Sequence, residues 1–243
     1  MIKAVFFDLD GTLIHTELLK ARSYAQAMVQ LTQDSVSAEQ VVEAFKDFIG
    51  RSRNEVVSGL ATIFRDILTT HLPNMTMEEI REMVLETRLS HYHKMIDDPT
   101  FLTPYFCKYN LALLSALHND GYKIVVATMS NLAEVEKVIA ALDIADKITL
   151  VLTREDVEQG KPDPEIYLQA KQRLQLQAAE CLVVEDSLTG VKAALAANMK
   201  VFAVTNELTK NDVVSSKILD PSFIINDLTQ LQPTVYSLLE RTS

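Results

Sequence analysis

Cysteine is scarce in this sequence of 243 residues, and tryptophan is absent. The two cysteines, Cys107 and Cys181, lie far apart and lack the close spacing of metal-binding or redox pairs. We therefore expect both thiols to be reduced and the protein to be cytoplasmic.

Long hydrophobic runs are also missing, although 48% of the residues are hydrophobic and can form a sizeable core. No run approaches the roughly 20 apolar residues that a membrane-spanning helix needs, and the mean hydropathy is only +0.08. The N-terminal apolar run leads directly into Asp8 and Asp10, which argues against a signal peptide. We therefore expect no membrane partner.

Basic residues are outnumbered, since 23 lysines and arginines face 33 aspartates and glutamates and leave a net charge of −10. The sequence has no run of lysine or arginine that could bind a nucleic-acid backbone. It also has no internal repeats. We expect no nucleic-acid partner. The length suits one α/β core with a modest insertion.

The most informative stretch follows a short apolar run near the N-terminus. Residues 5–7 predict a strand buried on both faces, and the string Asp-Leu-Asp-Gly-Thr begins directly after it at Asp8. The carboxylates of Asp8 and Asp10 point the same way from an extended chain, so their charges converge. A hard cation such as Mg²⁺ would neutralise them. The alternative is an ordinary Asp-Gly turn or helix start at Asp10.

Residues 17–98 have a helical pattern throughout. Apolar residues recur at helical spacing, and Ser37 and Thr76 each begin a capping-box sequence. No convincing strand interrupts this stretch, and residues 97–100 resemble a linker. We predict a helical cap domain at 17–98, inserted after the first strand of a core domain formed by 1–16 and 99–243.

The remaining chain alternates between helices and strands. Further strands are predicted at 123–127, 148–152, 181–184, 201–204 and 223–225. This alternation predicts an α/β fold with a Rossmann-like parallel sheet. Two of the strands end at Thr128 and at Glu185-Asp186, so these groups should share one sheet edge with Asp8. Taken singly, each has an ordinary explanation as a strand-end hydroxyl or a helix-capping pair.

Four motifs in order give the chain a resemblance to a known family. The stretch Asp8-Leu9-Asp10-Gly11-Thr12-Leu13 resembles the first motif of the haloacid dehalogenase superfamily, mostly Mg²⁺-dependent phosphohydrolases. Thr128 is similar to the second motif, and Lys161-Pro162-Asp163-Pro164 is similar to the third, with Asp163 predicted to cap a helix. Glu185-Asp186, followed by Gly190-Val191-Lys192-Ala193-Ala194, is similar to the fourth.

The resemblance implies a role for each motif residue. Asp8 would be the nucleophile that forms an aspartyl-phosphate, and Asp10 would be the general acid and base. Lys161 would offset negative charge, and Thr128 would bind the phosphoryl group. The implied cofactor is Mg²⁺, with Asp8, the Asp10 carbonyl and Asp186 as its ligands and Glu185 helping directly or through water. We also assign Ser130 and Asn131 to substrate binding.

The helical insertion resembles the α-helical cap of the β-phosphoglucomutase-like branch of this superfamily. The segment 50–53 resembles the specificity loop of such caps, and Arg53 falls where that branch has a phosphate-binding arginine. The alternative is a solvated arginine near a helix start. His15 and Lys20 depart from the residues usual in the branch, which leaves the substrate open.

The predicted function is hydrolysis of a small phosphorylated metabolite, with sugar phosphates among the candidates, by a Mg²⁺-dependent phosphatase that is a monomer or dimer. The presence of Asp10 favours phosphoryl chemistry, because dehalogenating members of the superfamily lack this carboxylate. One alternative is a β-phosphoglucomutase-like phosphomutase. Another is a non-catalytic protein that binds a phosphorylated metabolite.

Overall fold

The computed structural model describes residues 1–48 and 53–241 of the chain. Within these residues the strands are β1 (Ala4–Phe7), β2 (Lys123–Ala127), β3 (Leu150–Leu152), β4 (Cys181–Glu185), β5 (Lys200–Val204) and β6 (Ile224–Ile225). The first helices are α1 (Thr16–Leu31), α2 (Ala38–Phe45), α3 (Arg53–Ile63), α4 (Arg65–His71), α5 (Met77–Ile96) and α6 (Pro99–Leu102). The later helices are α7 (Lys108–Asn119), α8 (Leu132–Ala141), α9 (Glu165–Arg173), α10 (Leu188–Ala196), α11 (Lys210–Ser216) and α12 (Leu231–Arg241).

The strands form one parallel sheet in the order β3-β2-β1-β4-β5-β6. β1 therefore lies inside the sheet between β2 and β4, and all of its residues are buried. This explains why residues 5–7 are apolar without alternation, since helices cover both faces of such a sheet. The predicted α/β fold with a Rossmann-like parallel sheet is confirmed.

The chain divides into two compact units, Met1–His15 with Thr103–Ser243, and Thr16–Leu102. We call them the sheet unit and the helical unit. The predicted boundaries of the cap and core domains lie within a few residues of this division. That the two units are independent domains stays a prediction.

The sheet unit has a continuous apolar core against α9 and α10. Phe6 from β1 and Val183 from β4 pack there with Ile166 of α9 and Val191 of α10, and all four are fully buried. Their burial fixes the strands against the helices, so the residues that follow each strand begin from defined positions.

The helical unit has its own core, in which α1 packs against α2 and α5. Tyr24, Met28 and Leu60 belong to this core. Ser37 and Thr76 both form the predicted capping boxes, which satisfy the first amides of α2 and α5. In the described part of the chain, no helix combines the length and apolar character required to cross a membrane.

One predicted helix cap is wrong. Pro164, not Asp163, is the N-cap of α9, and it has no side-chain capping bond. The Asp163 carboxylate accepts a hydrogen bond from Glu165 N at 3.0 Å instead, which stabilises the turn that precedes the helix.

Candidate active site

The candidate site begins where the three central strands end. Phe7, the last residue of β1, is in register with Val126 of β2 and Val184 of β4. The next residues along β1 and β4 are therefore Asp8 and the pair Glu185-Asp186, which meet at one edge of the sheet. Asp8 N donates a hydrogen bond to Val184 O at 3.0 Å and extends the strand pairing into the site.

Three carboxylates converge at this edge. One oxygen from each of Asp8, Glu185 and Asp186 lies within 4.8 Å of the others. The three residues are only 6%, 0% and 4% exposed. Burying like charges this close together is costly unless cations neutralise them.

Lys161 supplies one of these positive charges. Its Nζ donates to Asp8 Oδ1 at 2.7 Å, to Glu185 Oε1 at 2.7 Å and to Ala127 O at 2.9 Å, which uses all three donors. Burial lowers the pKa of Lys161, but its attraction to Asp8 and Glu185 outweighs this and raises the pKa well above its usual value. The lysine therefore stays charged at neutral pH.

One lysine does not neutralise three buried carboxylates. Burial raises the pKa of Asp8 to about 8, with Lys161 opposing the shift and the charges of Glu185 and Asp10 adding to it. Asp8 therefore needs a further positive charge to be ionised at neutral pH. Carboxylate oxygens in this number are the ligands that Mg²⁺ prefers, so the residues fit this cation.

Glu185 is held by contacts on both of its oxygens. Oε1 accepts from Lys161 and from the Tyr167 hydroxyl at 3.3 Å, and Oε2 accepts from Ser187 N and Oγ at 2.9 Å each. A Cβ atom at Gly190 would lie 1.6 Å from Oε1, so this glycine in α10 makes room for the carboxylate. These contacts hold the Glu185 carboxylate in the position where it accepts a hydrogen bond from Lys161.

The Asp10 carboxylate lies beside the end of β2. Its Oδ2 accepts hydrogen bonds from Thr128 Oγ1 at 3.0 Å and from Ser130 Oγ at 2.6 Å. The predicted residues Thr128 and Ser130 are thus brought to Asp10. Asn131 follows as the N-cap of α8, in extended conformation and without a side-chain capping bond.

The loop that joins Asp8 to His15 is shaped by close contacts. Gly11 has a φ of +85°, and a Cβ atom there would lie 2.2 Å from Asp186 Oδ2. Only glycine satisfies both the conformation and the close approach. Asn110 Nδ2 donates to Thr12 O at 2.5 Å from the neighbouring helix α7.

Four residues at or near the site carry no motif and were missed from the sequence. They are Asn110, Tyr167, Ser187 and Asn206, which contact Thr12, Glu185 or Asp186. Ser187 follows the fourth motif directly, and this nearness was the one usable signal. The other three lie on elements distant in sequence from the residues they touch.

Arg53 belongs to the helical unit and is the first residue of α3, with a half-buried side chain. The other residues of the predicted specificity loop, Gly50, Arg51 and Ser52, lie outside the described residues. The phosphate-binding role of Arg53 therefore stays a prediction.

Comparison with known proteins identifies the family of the chain. The sequence matches the family described as haloacid dehalogenase-like hydrolase over residues 2–198. It is 28% identical over 203 residues to a phosphoglycolate phosphatase of Nitrosospira multiformis. The aligned region covers 84% of this chain and 83% of the relative. The protein SUPPRESSOR OF QUENCHING 1, chloroplastic, of Arabidopsis thaliana is 27% identical over 228 residues, 93% of this chain, but the chain spans only 20% of that relative's length.

The fold is shared with a β-phosphoglucomutase from Clostridium difficile. The two structures superpose with a TM-score of 0.67 at 21% sequence identity, over 100% of this chain and 97% of the other. The predicted family and the prediction of a hydrolase are both confirmed. With its ordered motifs gathered at one sheet edge and matched over most of its length, the chain belongs to the haloacid dehalogenase-like hydrolase family.

Proposed function

We propose that this protein is a Mg²⁺-dependent phosphatase of small phosphorylated metabolites, including sugar phosphates. The observation that carries the proposal is the setting of Asp8, whose buried carboxylate is bonded to Lys161 and lies among further carboxylates. The phosphatase named among its relatives supports a small phosphate ester as the substrate class.

In the proposed reaction Asp8 attacks the phosphorus atom of the ester. A bond forms between its carboxylate oxygen and phosphorus while the bond from phosphorus to the ester oxygen breaks. Asp10 gives a proton to the departing oxygen, which leaves as an alcohol. Water then attacks the aspartyl-phosphate, Asp10 takes the proton, and phosphate leaves as Asp8 is regenerated.

Lys161 has two tasks in this scheme. Its bond to Asp8 Oδ1 fixes the rotation of the nucleophilic carboxylate. Its charge offsets the repulsion between the incoming phosphate and the buried carboxylates, because it remains protonated at neutral pH.

The proposed ligands of Mg²⁺ are Asp8, Asp186 and the backbone carbonyl of Asp10. The cation, when bound, supplies charge neutralisation for the phosphoryl oxygens. Glu185 is proposed to orient Lys161 rather than to bind the cation directly, since both of its oxygens accept hydrogen bonds from this chain.

Thr128 and Ser130 are proposed to exchange partners when substrate binds. Each hydroxyl has one proton, and both protons are donated to Asp10 Oδ2. A phosphoryl oxygen that accepts from either hydroxyl takes that bond away from Asp10. Phosphate binding would thereby release Asp10 for proton transfer.

A phosphomutase is the second candidate, favoured by a group of cations in the helical unit. Arg88 lies 5.1 Å from the Tyr24 ring centre. Burial raises the pKa of Tyr24, the charges of Arg88, Arg53 and Lys20 oppose this shift, and that of Glu17 adds to it. Lys20 is paired with Glu17 at 2.8 Å, and Arg88 is buried. Arg53 is therefore the cation of this group proposed to hold a second phosphate, which a mutase must bind and a phosphatase need not.

We also propose a cytoplasmic location. Cys107 and Cys181 are both free thiols. Burial raises the pKa of Cys107 to about 12 and that of Cys181 to about 11, so neither is a reactive thiolate. Two unpaired, unreactive thiols suit a reducing compartment.

The test is phosphate release from a panel of phosphorylated metabolites and from p-nitrophenyl phosphate, with Mg²⁺ present. We expect turnover that is abolished by a chelator and by Asp8→Asn, whose cooperative melting would show that it is folded. Full activity in excess chelator would contradict the metal assignment. Isomerisation of a hexose 1-phosphate that outpaces phosphate release would favour the mutase, and folded wild-type protein inert on every ester would favour the non-catalytic alternative.

A further inference from the structure

Asn206 lies beside Asp186 at the same edge of the sheet. β5 pairs with β4 and ends at Val204, so Asn206 follows two residues later next to the end of β4. Its Nδ2 atom donates a hydrogen bond to Asp186 Oδ2 at 3.2 Å. The contact joins the fourth motif to a loop that no motif marks.

The backbone fixes which way the Asn206 amide points. Its Oδ1 accepts hydrogen bonds from Leu208 N at 2.9 Å and from Thr209 N at 3.1 Å. An NH₂ group cannot accept these bonds, so the oxygen must face the loop and the NH₂ group must face Asp186. If the amide were reversed, its NH₂ group would face the N–H donors of Leu208 and Thr209.

The loop that carries Asn206 is anchored on both sides. Thr205 Oγ1 donates to Asn226 Oδ1 at 2.9 Å, and Thr205 N donates to Ile225 O at the end of β6. On the other side Asn206 N donates to Thr209 Oγ1 at 3.3 Å. The Nδ2 donor is therefore held in place relative to the sheet.

Asp186 is also confined by the loop after β1. The space at Gly11 is so narrow that a Cβ atom would overlap Asp186 Oδ2. The same oxygen thus lies close to Gly11 and accepts a hydrogen bond from Asn206. These two contacts restrict rotation of the carboxylate.

We propose that Asn206 is a positioning residue that orients Asp186 for binding of the divalent cation. The inference rests on the proposed function, because it takes Asp186 as a ligand of Mg²⁺. Hydrogen bonds that orient metal ligands in this way change metal affinity by roughly 10–100-fold when they are removed.

Asn206→Ser separates this role from a purely structural one. A serine hydroxyl still accepts from an amide two or three residues further on, so it keeps the turn, but it is too short to reach Asp186. Thr209→Ala is the matched control, because it disturbs the same loop by removing the acceptor of Asn206 N and leaves the Nδ2 donor in place.

The measurement is binding of Mn²⁺ alone, without substrate, followed through the electron paramagnetic resonance signal of the free ion. We expect Asn206→Ser to weaken binding by about 10-fold, while Thr209→Ala binds like the wild type. The melting temperature of Asn206→Ser in excess chelator should match the wild type. In turnover, more Mg²⁺ should be needed for half-maximal rate, with kcat unchanged at saturation.

Equal Mn²⁺ affinity of Asn206→Ser and the wild type would overturn the proposal. Equal weakening in Thr209→Ala would also overturn it, because the effect would then belong to the loop. A wild-type protein without a saturable Mn²⁺ site would contradict both the metal assignment and this role. A protein that binds Mn²⁺ in an Asn206-dependent manner but releases no phosphate would contradict the phosphatase and uphold the positioning role.

Discussion

Asp10 is the residue on which both halves of the proposed reaction depend. In that proposal, Asp10 protonates the leaving oxygen in the first half and takes a proton from water in the second. In the structure its carboxylate is held by two hydroxyls, so its position is defined before substrate arrives. A good leaving group departs without a proton. The role of Asp10 should therefore be distinguishable from that of the nucleophile by the choice of leaving group.

We expect Asp10→Asn to slow turnover of alkyl phosphates by about 10²–10⁴-fold, the usual contribution of general acid–base catalysis. An aryl phosphate has a leaving group that needs no proton, so Asp8 should still be phosphorylated once. Rapid mixing with p-nitrophenyl phosphate should give a stoichiometric burst of nitrophenolate and then slow release. Asp8→Asn is the control that should show no burst, and near wild-type rates of Asp10→Asn on alkyl phosphates would contradict the role.

His15 provides a test of pH dependence at a residue to which no catalytic role is assigned. Its Nε2 lies 3.5 Å from Cys107 Sγ, and burial lowers the pKa of His15. The unfolded chain, with a histidine pKa of about 6.5, therefore binds more protons than the folded chain as the pH falls. The contribution of His15 to the free energy of unfolding should be complete above that value and should be lost below it, whereas the raised pKa of Asp8 contributes with the opposite sign.

We expect the unfolding free energy of the wild type minus that of His15→Asn to fall between about pH 7 and pH 5, because only the wild type loses the His15 contribution. The contributions of Asp8 and His91 are present in both proteins and cancel in this difference. Urea unfolding in excess chelator measures the effect, and the difference between the proteins at about pH 8 serves as the reference for lost packing. Parallel curves for wild type and variant would contradict the assignment.

At the scale of single elements, α10 is built around the carboxylate of Glu185. The helix begins after Ser187, whose side chain accepts from Gly190 N and whose own groups donate to Glu185. The Gly-Val-x-Ala-Ala sequence is thus a packing requirement, because small residues let the helix lie close to the end of β4.

We expect Gly190→Ala to destabilise the protein by about 1–3 kcal/mol, the usual cost of overpacking. The added methyl group would displace Glu185 Oε1, which also accepts from Lys161, so turnover should fall with stability. Thermal unfolding and phosphate release measure the two effects. The control is Thr189→Ala on the exposed side of the same helix, expected within about 0.5 kcal/mol of wild type, and equal melting of the two variants would contradict the packing argument.

At the scale of the whole molecule, the residues proposed to bind the phosphoryl group all belong to the sheet unit. In that proposal, these residues recognise only the phosphoryl group, which every phosphate ester has in common. We therefore assign discrimination among substrates to the helical unit, where Arg53 is the residue singled out by the sequence.

We expect Arg53→Ala to lower kcat/KM by roughly 10–100-fold for substrates with a second anionic group, which follows from about 1.5–3 kcal/mol per charged hydrogen bond. Activity on p-nitrophenyl phosphate should be unchanged, because that substrate has no second anion. The control is Arg65→Ala, which removes the same charge from an exposed position in the helical unit. Unchanged kinetics of Arg53→Ala on every active substrate would contradict this role.

The sequence alone determined the kind of fold and the chemistry that its motifs carry. Apolar runs without alternation predicted buried parallel strands, and the capping boxes at Ser37 and Thr76 predicted helix starts, because these signals arise between near neighbours. The residue types after β1, β2 and β4 indicated a phosphoryl site, because parallel strands bring their ends to one edge.

Only the tertiary structure decided which groups hold the site together. Lys161 and Asp8 are 153 positions apart, and their contact depends on β1 lying between β2 and β4. The same sheet order brings Asn206 to Asp186 and Tyr167 to Glu185. Such contacts leave no local pattern, because they arise from packing between elements and not from the residues beside them in the chain.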